Sequence, residues 1–413
     1  MKMRAFGALI SPGEARRRLL AAARPVLTSE TVTLATALGR VSARTYRAPA
    51  AVPAFSRATW DGYAIRSRDV TTARPDRPVR LALVGEVFAE QSRRRRLRPG
   101  EAVAVATGAA IPAGADAVVI FEDVAESPDA IEVSAPVPRG NKIAAPGDDF
   151  PRGQSIVRAG EVLGPASLGA LAATGFAQVA VRRRPRVGLV PNGNELVAPG
   201  RPLGPGQIHE SNNLTLAAVV TACGGEPIPT PPVVDDRDAI ETAILRALAQ
   251  SDVVLVTGGS SVGEHDYLPV IFPRIGRLLF HGIAVRPGKP TLAATAAHRL
   301  LVGMPGHPTS CLSNAYWLLL PVLRQVAGLP GPGWLDGEIR LGRPIGAPSP
   351  GFSQVVPLHV VEGRGTPTFR DSSAISSLAG VNAFALRPPG SPPVPRGGRL
   401  AVHHLPPPLG VPA

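Results

Sequence analysis

The sequence feature that most constrains the fold is a short, entirely apolar run from Val253 to Val256, with a glycine-rich segment directly after it. A run of this kind is typical of a parallel β-strand that is buried on both faces. Between residues 186 and 328, further strand-length apolar runs alternate with amphipathic stretches of helical length, such as Asp236 to Ala249. This alternation predicts a doubly wound α/β domain.

The segments on either side of this domain follow different patterns. Prolines and glycines separate short alternating runs in the segment before it, which predicts a small β domain. Apolar residues at helical spacing flank that segment on both sides, so we expect an N-terminal helical arm made of two pieces. The C-terminal part is rich in Gly and Pro and predicts a β-barrel. The expected domains are the arm (1–48 and 145–185), the small β domain (49–144), the α/β domain (186–328) and the barrel (329–413).

The charge of the chain bears on its partners. The formal net charge is +13, and among 44 basic residues only Lys2, Lys142 and Lys289 are lysines. Such a chain has the charge to bind nucleic acid, which would make its affinity for DNA strongly dependent on salt. The arginine runs from Arg93 to Arg96 and from Arg182 to Arg184, however, lack interleaved aromatic residues for base stacking. We therefore expect no nucleic-acid partner and a basic surface that attracts a phosphorylated substrate.

The apolar runs and the cysteines indicate the compartment. The longest apolar runs are far shorter than the roughly 18 residues needed to cross a bilayer, so we expect a soluble protein with no membrane partner. Cys223 and Cys311 each lie in an apolar helical pattern and lack metal-ligand spacing. We expect buried, reduced thiols and a cytoplasmic location.

The glycine-rich segment after the apolar run reads TGGSSVGEHDY, from Thr257 to Tyr267. Ligands of open α/β sheets bind beyond the carboxyl ends of the strands, where the N–H groups of a glycine-rich turn bind anionic oxygens. Asp266 follows closely enough to face the same cleft and to bind Mg²⁺. A plain strand-to-helix turn is the simpler alternative. The predicted ligand-binding residues are Gly258, Gly259, Ser260, Ser261 and Gly263.

Two further turns are candidates for the same cleft. In the first, from Arg286 to Pro290, two prolines fix the backbone around Lys289, which makes this lysine a rigid point charge for a phosphate or oxyanion. The second, from Gly303 to Ser310, contains Pro305 and Pro308, and ordinary proline capping of a helix explains it equally well.

Three carboxylates follow predicted strands of the α/β domain. They are Glu195, Asp235 and Asp266. If these strands are parallel, the three side chains meet at one edge of the sheet, where they suit a metal that prefers oxygen ligands. Singly, each is explained as a solvated helix cap, so the prediction depends on their joint placement. The eight histidines show no metal-ligand spacing.

With these residues in view, the chain resembles the MoeA family, whose eukaryotic relatives include the E domain of gephyrin. The resemblance covers nearly the whole length. It rests on motifs in the family's order: TWDGYA (59–64), ATGA (106–109), PAGADAVV (112–119) with Glu122, GDD (147–149), SVG-x-x-D (261–266), PGKP (287–290), PG-x-P-x-S (305–310) and SSLA (376–379).

The resemblance implies a fold and a function. It implies a MogA-like fold for the α/β domain and an elongated four-domain homodimer, with the active site between the α/β domain of one subunit and the small β domain of the other. It implies the activity of a molybdopterin molybdenumtransferase, in which molybdate is inserted into molybdopterin adenylate with release of AMP. Mg²⁺ is the implied cofactor.

The resemblance also implies roles for individual residues. Asp61, Thr107 and Asp149 would face the pterin or the metal from the second domain and its edge. The α/β domain would act through Glu195, Asp235, Ser261, Asp266 and Lys289, with Asp235, Asp266 and Glu195 as metal ligands and molybdate near the PGKP loop and the turn at Pro305 and Pro308. The cofactor-binding set includes Thr107, Arg286 and Ser310, and the catalytic set is Asp61, Asp149, Asp235, Asp266 and Lys289.

Four positions depart from the family's pattern. Arg286 replaces a second lysine, Asn194 an acid, Trp60 a methionine and His307 an asparagine. A guanidinium fork differs in geometry from an ammonium. These departures leave two alternatives open, a non-catalytic carrier or assembly scaffold for the cofactor and a relative that uses tungstate.

Overall fold

A computed structural model describes residues 8–88, 96–260, 266–407 and 409. These residues form two compact units. Unit 1 contains the described residues of 1–31, 39–43 and 180–413, and unit 2 contains those of 32–38 and 44–179. None of the described helices is long and apolar enough to cross a membrane.

The helices and strands have the following bounds. The described helices are α1 (Pro12–Ala22), α2 (Pro165–Ala173), α3 (Asn212–Ala222), α4 (Arg237–Gln250), α5 (Leu268–Ile275), α6 (Pro308–Asn314) and α7 (Leu320–Ala327), with a π-helical turn at Ala315–Leu319 and 3-10 turns at Leu34–Thr36, Ser67–Val70, Phe121–Asp123 and Ile375–Leu378. The first strands are β1 (Ser29–Thr33), β2 (Tyr46–Arg47), β3 (Arg57–Ala58), β4 (Gly62–Ile65), β5 (Val79–Val87), β6 (Glu101–Val105), β7 (Ala117–Ile120), β8 (Val124–Ser127), β9 (Ala130–Val133), β10 (Ile143–Ala144), β11 (Ser155–Val157) and β12 (Gln178–Arg182). The later strands are β13 (Arg186–Pro191), β14 (Leu196–Val197), β15 (Ile208–His209), β16 (Glu226–Pro229), β17 (Val253–Thr257), β18 (Arg277–His281), β19 (Val285–Arg286), β20 (Leu292–Ala296), β21 (Arg299–Met304), β22 (Leu335–Leu341), β23 (Ser353–Val361), β24 (Arg364–Pro367), β25 (Ala383–Arg387) and β26 (Arg399–His404).

The predicted α/β domain is confirmed in unit 1. Its six-stranded sheet has the order β16-β13-β17-β21-β20-β18, in which the first four strands are parallel. Val253 and Leu255 of β17 face a core that includes α3 and α7, whereas Val254 and Val256 face a second core formed with α4 and α5. Because alternate residues of β17 enter opposite cores, its four positions from Val253 to Val256 are all apolar.

The predicted C-terminal barrel is also confirmed in unit 1. Strands β23, β24, β22, β26 and β25 pair in that order, and the pairing of β25 with β23 closes the ring. Residues such as Leu358 and Val402 fill its interior. Strand β19, which precedes the PGKP loop, pairs in parallel with β23. This pairing attaches the PGKP loop to the barrel wall.

Unit 2 contains the predicted small β structure. Its six-stranded sheet has the order β7-β4-β6-β5-β9-β8, and only the β5–β6 pair within this sheet is parallel. Short antiparallel pairs β3–β10 and β2–β11, together with α2, complete the unit.

The helical arm departs from its predicted extent. The spacing from Pro12 to Leu38 predicts helices, but α1 ends at Ala22 and the residues after it include strand β1. Helix α1 buries Ala15 and Leu19 in the core beneath the α/β sheet. The arm's first piece therefore packs mainly with unit 1, whereas α2 of its second piece lies in unit 2. The four domain boundaries stay a prediction.

Candidate functional site

Three turns of unit 1 meet at one edge of the α/β sheet. Strands β13, β17 and β21 end in register, with Pro191 beside Thr257 and Thr257 beside Met304. The Asn192 N–H donates to the Thr257 carbonyl at 2.9 Å, and the Gly258 N–H donates to the Met304 carbonyl at 3.3 Å. The turns that follow these strands line one cavity of about 1670 Å³. The predicted convergence of these segments is therefore present in the fold.

The glycine-rich turn lies against Asn192. A Cβ atom on Gly258 would lie 2.5 Å from the Asn192 carbonyl oxygen, and both Gly258 and Gly259 have left-handed backbone angles, with φ of 91° and 59°. Ser260 is buried and donates its hydroxyl to the Met304 carbonyl at 3.2 Å. This hydroxyl holds the turn in place, and Ser260 also lines the cavity, so its predicted part in ligand binding stays a prediction. Ser261 and Gly263 lie outside the described residues.

The predicted metal ligands line this cavity without forming a compact cluster. Asp235 accepts hydrogen bonds from the Asn192 side-chain amide at 3.1 Å and from the Asn194 N–H at 3.2 Å, while its own N–H donates to Asn194 Oδ1 at 3.0 Å. Glu195 is exposed beside Gly193, and Asp266 also lines the cavity. Within the part of the chain that the structure describes, no group of three His, Cys, Asp or Glu side chains is arranged to hold a metal.

The PGKP loop is fixed by a buried network. Asn314 donates its side-chain amide to the Gly288 carbonyl at 2.9 Å and to Thr291 Oγ1 at 2.7 Å, and it accepts from Trp317 Nε1 at 2.8 Å. Gly288 has φ of 107°, and a Cβ atom there would overlap the Asn314 amide. The Lys289 carbonyl accepts from two N–H groups of neighbouring residues. Lys289 lines the cavity on a loop whose backbone is held on both sides.

Arg286 lies at the same loop but contacts the barrel. Its guanidinium carbon lies 4.3 Å from the centre of the Phe352 ring, and its Nη1 donates to Ser349 Oγ at 3.2 Å. The resemblance assigns Arg286 to the cofactor-binding set. In the structure the guanidinium contacts the barrel through this ring and this hydroxyl, and Arg286 is exposed and lines the cavity.

The third turn is joined to a loop of the barrel. Pro305 is buried, and Pro308 begins α6, as the capping alternative requires. His307 Nδ1 lies 3.1 Å from Ser372 Oγ. Ser310, which is 5% exposed, lines the cavity. The turn thus both caps a helix and forms a wall of the cavity.

Several cavity residues were not identified from the sequence. Glu210 is buried and accepts from the Asn213 N–H at 2.9 Å, and burial raises the pKa of this carboxyl. The side-chain oxygens Oδ1 of Asn192 and Asn212, two residues that line the cavity, are buried and accept no hydrogen bond from the described residues. Burial also lowers the pKa of His281, which lies near Ser260 and Asp266. Ser211, directly before α3, is a residue type that favours a helix N-cap, and this is the signal in the sequence that could have pointed to Glu210 and its neighbours.

The remaining predicted site residues lie in unit 2. Asp61 Oδ1 accepts from the Thr107 N–H at 2.6 Å and from the Thr107 hydroxyl at 2.9 Å, and these bonds lower the pKa of Asp61. Asp149 is exposed, and its N–H donates to the Val52 carbonyl at 3.0 Å.

The two cysteines, which lie in unit 1, are free and buried, as predicted, and burial raises the pKa of the Cys223 thiol to about 12.

Comparison with known proteins agrees with the resemblance. The model of the MoeA N-terminal region (domain I and II) matches residues 10–175, and that of a probable molybdopterin binding domain matches residues 188–325. The chain is 33% identical over 375 residues to a molybdopterin molybdenumtransferase of Bacillus subtilis, covering 88% of this chain and 86% of that one. It is 34% identical over 374 residues to one of Synechococcus elongatus, covering 89% and 92%.

A solved structure gives the same answer for the fold. The molybdopterin biosynthesis MoeA protein of Pyrococcus horikoshii superimposes with a TM-score of 0.85 at 32% identity, covering 96% of this chain and 99% of that one. Similarity of sequence and of fold thus extends across both units. The chain belongs to the MoeA family.

Proposed function

We propose that this protein is a molybdopterin molybdenumtransferase, which inserts molybdate into adenylylated molybdopterin and releases AMP in the last step of molybdenum cofactor biosynthesis. The observation that carries the proposal is the cavity of unit 1, which is lined by a glycine-rich turn, by Lys289 on its fixed loop, and by the carboxylates of Asp235 and Asp266. This combination suits a substrate with anionic phosphate oxygens and an incoming oxyanion. The membership of the family supports the same reaction.

The roles proposed for the cavity residues follow from their chemistry. The Gly259 N–H binds a phosphate oxygen, because glycine at these two positions allows close approach of the backbone, while the Gly258 N–H holds the turn by its bond to the Met304 carbonyl. Lys289 binds a molybdate or phosphate oxygen as a point charge whose position Asn314 controls. Pro305, Pro308 and Ser310, which were predicted to bind the cofactor, also line this cavity.

Asp235 and Asp266 are proposed as the residues that hold Mg²⁺. Mg²⁺ in proteins is usually held by one or two carboxylates together with waters and substrate phosphates, so the donor set fits without a third protein ligand. When bound there, Mg²⁺ neutralises charge on the phosphate oxygens. Asn192 and Asn194 orient the Asp235 carboxylate through the hydrogen bonds that it accepts from them. Glu195, which is exposed, is proposed as an outer ligand through water.

Release of AMP tests the proposal. Purified protein is incubated with molybdopterin adenylate, Mg²⁺ and molybdate, and AMP is quantified. Release should require molybdate and should fall at least about tenfold in Asp266→Asn, because a metal-binding charge is lost. Asp238→Asn, an exposed acid of α4, is the matched control and should retain activity. No AMP release by the unmodified protein would refute the proposal.

A carrier function is the second candidate, because Arg286 and Asn194 depart from the family's pattern and the Arg286 guanidinium is stacked on Phe352. A carrier would bind the adenylylated pterin tightly and release no AMP. If AMP release is faster with tungstate than with molybdate in the same assay, the protein is a relative that prefers tungstate.

A cytoplasmic homodimer is part of the proposal, and sedimentation equilibrium measures the mass of the assembly in solution.

A further inference from the structure

Trp60 has an unusual environment in unit 2. Its side chain is 53% exposed, whereas Trp317 and Trp334 are 1% and 8% exposed. The Lys142 ammonium lies 4.5 Å from the centre of its indole ring. Lys142 is also one of only three lysines among the 44 basic residues of the chain, and it is not one of the residues that line the cavity of unit 1. A large aromatic ring beside a cation and open to solvent is a surface on which a planar ligand stacks.

The backbone holds Trp60 and Lys142 together. Strand β3 pairs with β10 so that Ala58 lies opposite Ile143. Beyond this pair, the Thr59 N–H donates to the Lys142 carbonyl at 2.9 Å. Lys142 adopts a left-handed conformation with φ of 54°, which residues other than glycine rarely adopt. The cation and the ring are therefore positioned by the sheet, and their contact does not depend on a mobile loop.

The next residue in the chain supplies a fixed carboxylate. One oxygen of Asp61 accepts both hydrogen bonds from Thr107, at 2.6 and 2.9 Å. These bonds fix the orientation of the carboxyl group and favour its ionised form. Asp61 is thus an oriented acceptor adjacent in sequence to the exposed ring. An ionised carboxylate accepts strongly from a pair of N–H groups on one edge of a heterocycle.

We propose that Trp60 and Asp61 form a platform for the pterin ring of the substrate. The bicyclic ring stacks on the indole face opposite Lys142, and the N–H groups on its aminopyrimidine edge donate to the Asp61 carboxylate. The Lys142 ammonium holds the other face of the indole by a cation–π contact. The identity of the ring as a pterin rests on the proposed function. Trp60, on which the ring stacks, is one of the positions at which this chain departs from the family's pattern.

Binding of neopterin, a pterin that lacks the dithiolene and the adenylate, tests the platform by isothermal titration calorimetry. Trp60→Ala should weaken neopterin binding about tenfold, in line with the loss of one stacked base, and Trp60→Phe should retain most of the affinity. Asp61→Asn should also weaken it, because a neutral amide accepts less strongly. Phe88→Ala, another exposed aromatic residue of unit 2, is the control and should bind as the unmodified protein does.

Acrylamide quenching adds a readout of position. Because the other two tryptophans are buried, quenching reports mainly on Trp60, and saturating neopterin should protect it. AMP is the comparison ligand, and its affinity should not change in Trp60→Ala. Equal neopterin affinity in folded Trp60→Ala, or loss of AMP affinity instead, would overturn the platform. Neopterin binding without molybdate-dependent AMP release would instead refute the proposed function and leave the platform standing.

Discussion

The guanidinium carbon of Arg286 lies 4.3 Å from the centre of the Phe352 ring, so the residue directly before the PGKP loop is stacked on the barrel. Arg286→Lys removes the planar group that both stacks and donates to Ser349. The free energy of unfolding should fall by about 0.5–1 kcal/mol, measured by urea denaturation. In a double-mutant cycle, Arg286→Lys and Phe352→Leu should be less than additive. Arg246→Lys, on the exposed side of α4, is the control, and full additivity would argue against the contact.

Gly288 is expected to be essential for placing Lys289. A Cβ atom at this position overlaps the Asn314 amide, and φ of 107° strains any other residue, so Gly288→Ala must move the loop. A displacement of about 1 Å at a binding group costs on the order of 100-fold in rate, and we expect a loss of that size in AMP release. Gly169→Ala, which enters open space in α2, should have no such effect. Unchanged activity in Gly288→Ala would remove Lys289 from the proposed chemistry.

Asn314 is expected to stabilise unit 1 through the same network. Asn314→Ala removes the acceptor of the buried Trp317 N–H, whereas the Gly288 carbonyl keeps the Thr291 hydroxyl as a donor. A buried group left without a partner costs about 1–3 kcal/mol, so the free energy of unfolding should fall by about that amount. Thermal and urea denaturation measure the change. A decrease below about 1 kcal/mol would show that water or another side chain replaces the network.

Asn194→Asp tests whether the missing acid matters for Mg²⁺. Asn194 Oδ1 accepts from the Asp235 N–H, and a carboxylate can accept the same bond, so the fold should be retained. The added negative charge beside Asp235 should lower the Mg²⁺ concentration for half-maximal AMP release severalfold, because opposite charges attract across a short distance. Asn194→Ala loses the bond without adding charge and serves as the comparison. The same Mg²⁺ dependence in all three proteins would contradict the role of this position.

The buried carboxyl of Glu210 predicts a pH dependence of stability. Burial raises its pKa above the ordinary value of 4.5, while the N–H groups of Asn213 and Asn212 lower it. The folded state therefore holds the proton more tightly, and the contribution of this group to stability is lost as the pH rises from about 4.5 through the raised pKa. Glu210→Gln does not titrate, so it should gain stability relative to the unmodified protein over this interval.

Urea denaturation at a series of pH values measures that difference. Glu226→Gln, a half-exposed acid of β16, is the matched control and should show no comparable change with pH. A difference between Glu210→Gln and the unmodified protein that stays constant with pH would contradict a raised pKa. A difference that shrinks as the pH rises would reverse the sign of the predicted effect.

The sequence by itself determined the elements whose cause is local. The apolar run at β17 required burial on both faces, and the turns after β13, β17 and β21 were recognisable from glycine, proline and acidic residues. The closed C-terminal barrel was likewise expected from short strands between turn residues. Motif order was sufficient to indicate the family, because it does not depend on how the segments pack.

Only the tertiary structure decided which side chains meet. Arg286 and Phe352 are 66 positions apart, and Asn314 reaches Gly288 across 26 positions, so no local pattern records either contact. Helix α1, predicted as part of an arm, buries Ala15 and Leu19 in the apolar core of unit 1 that also includes α3 and α7. Periodicity and turn chemistry depend on near neighbours in the chain, whereas the partners of a cavity residue depend on the packing of distant segments.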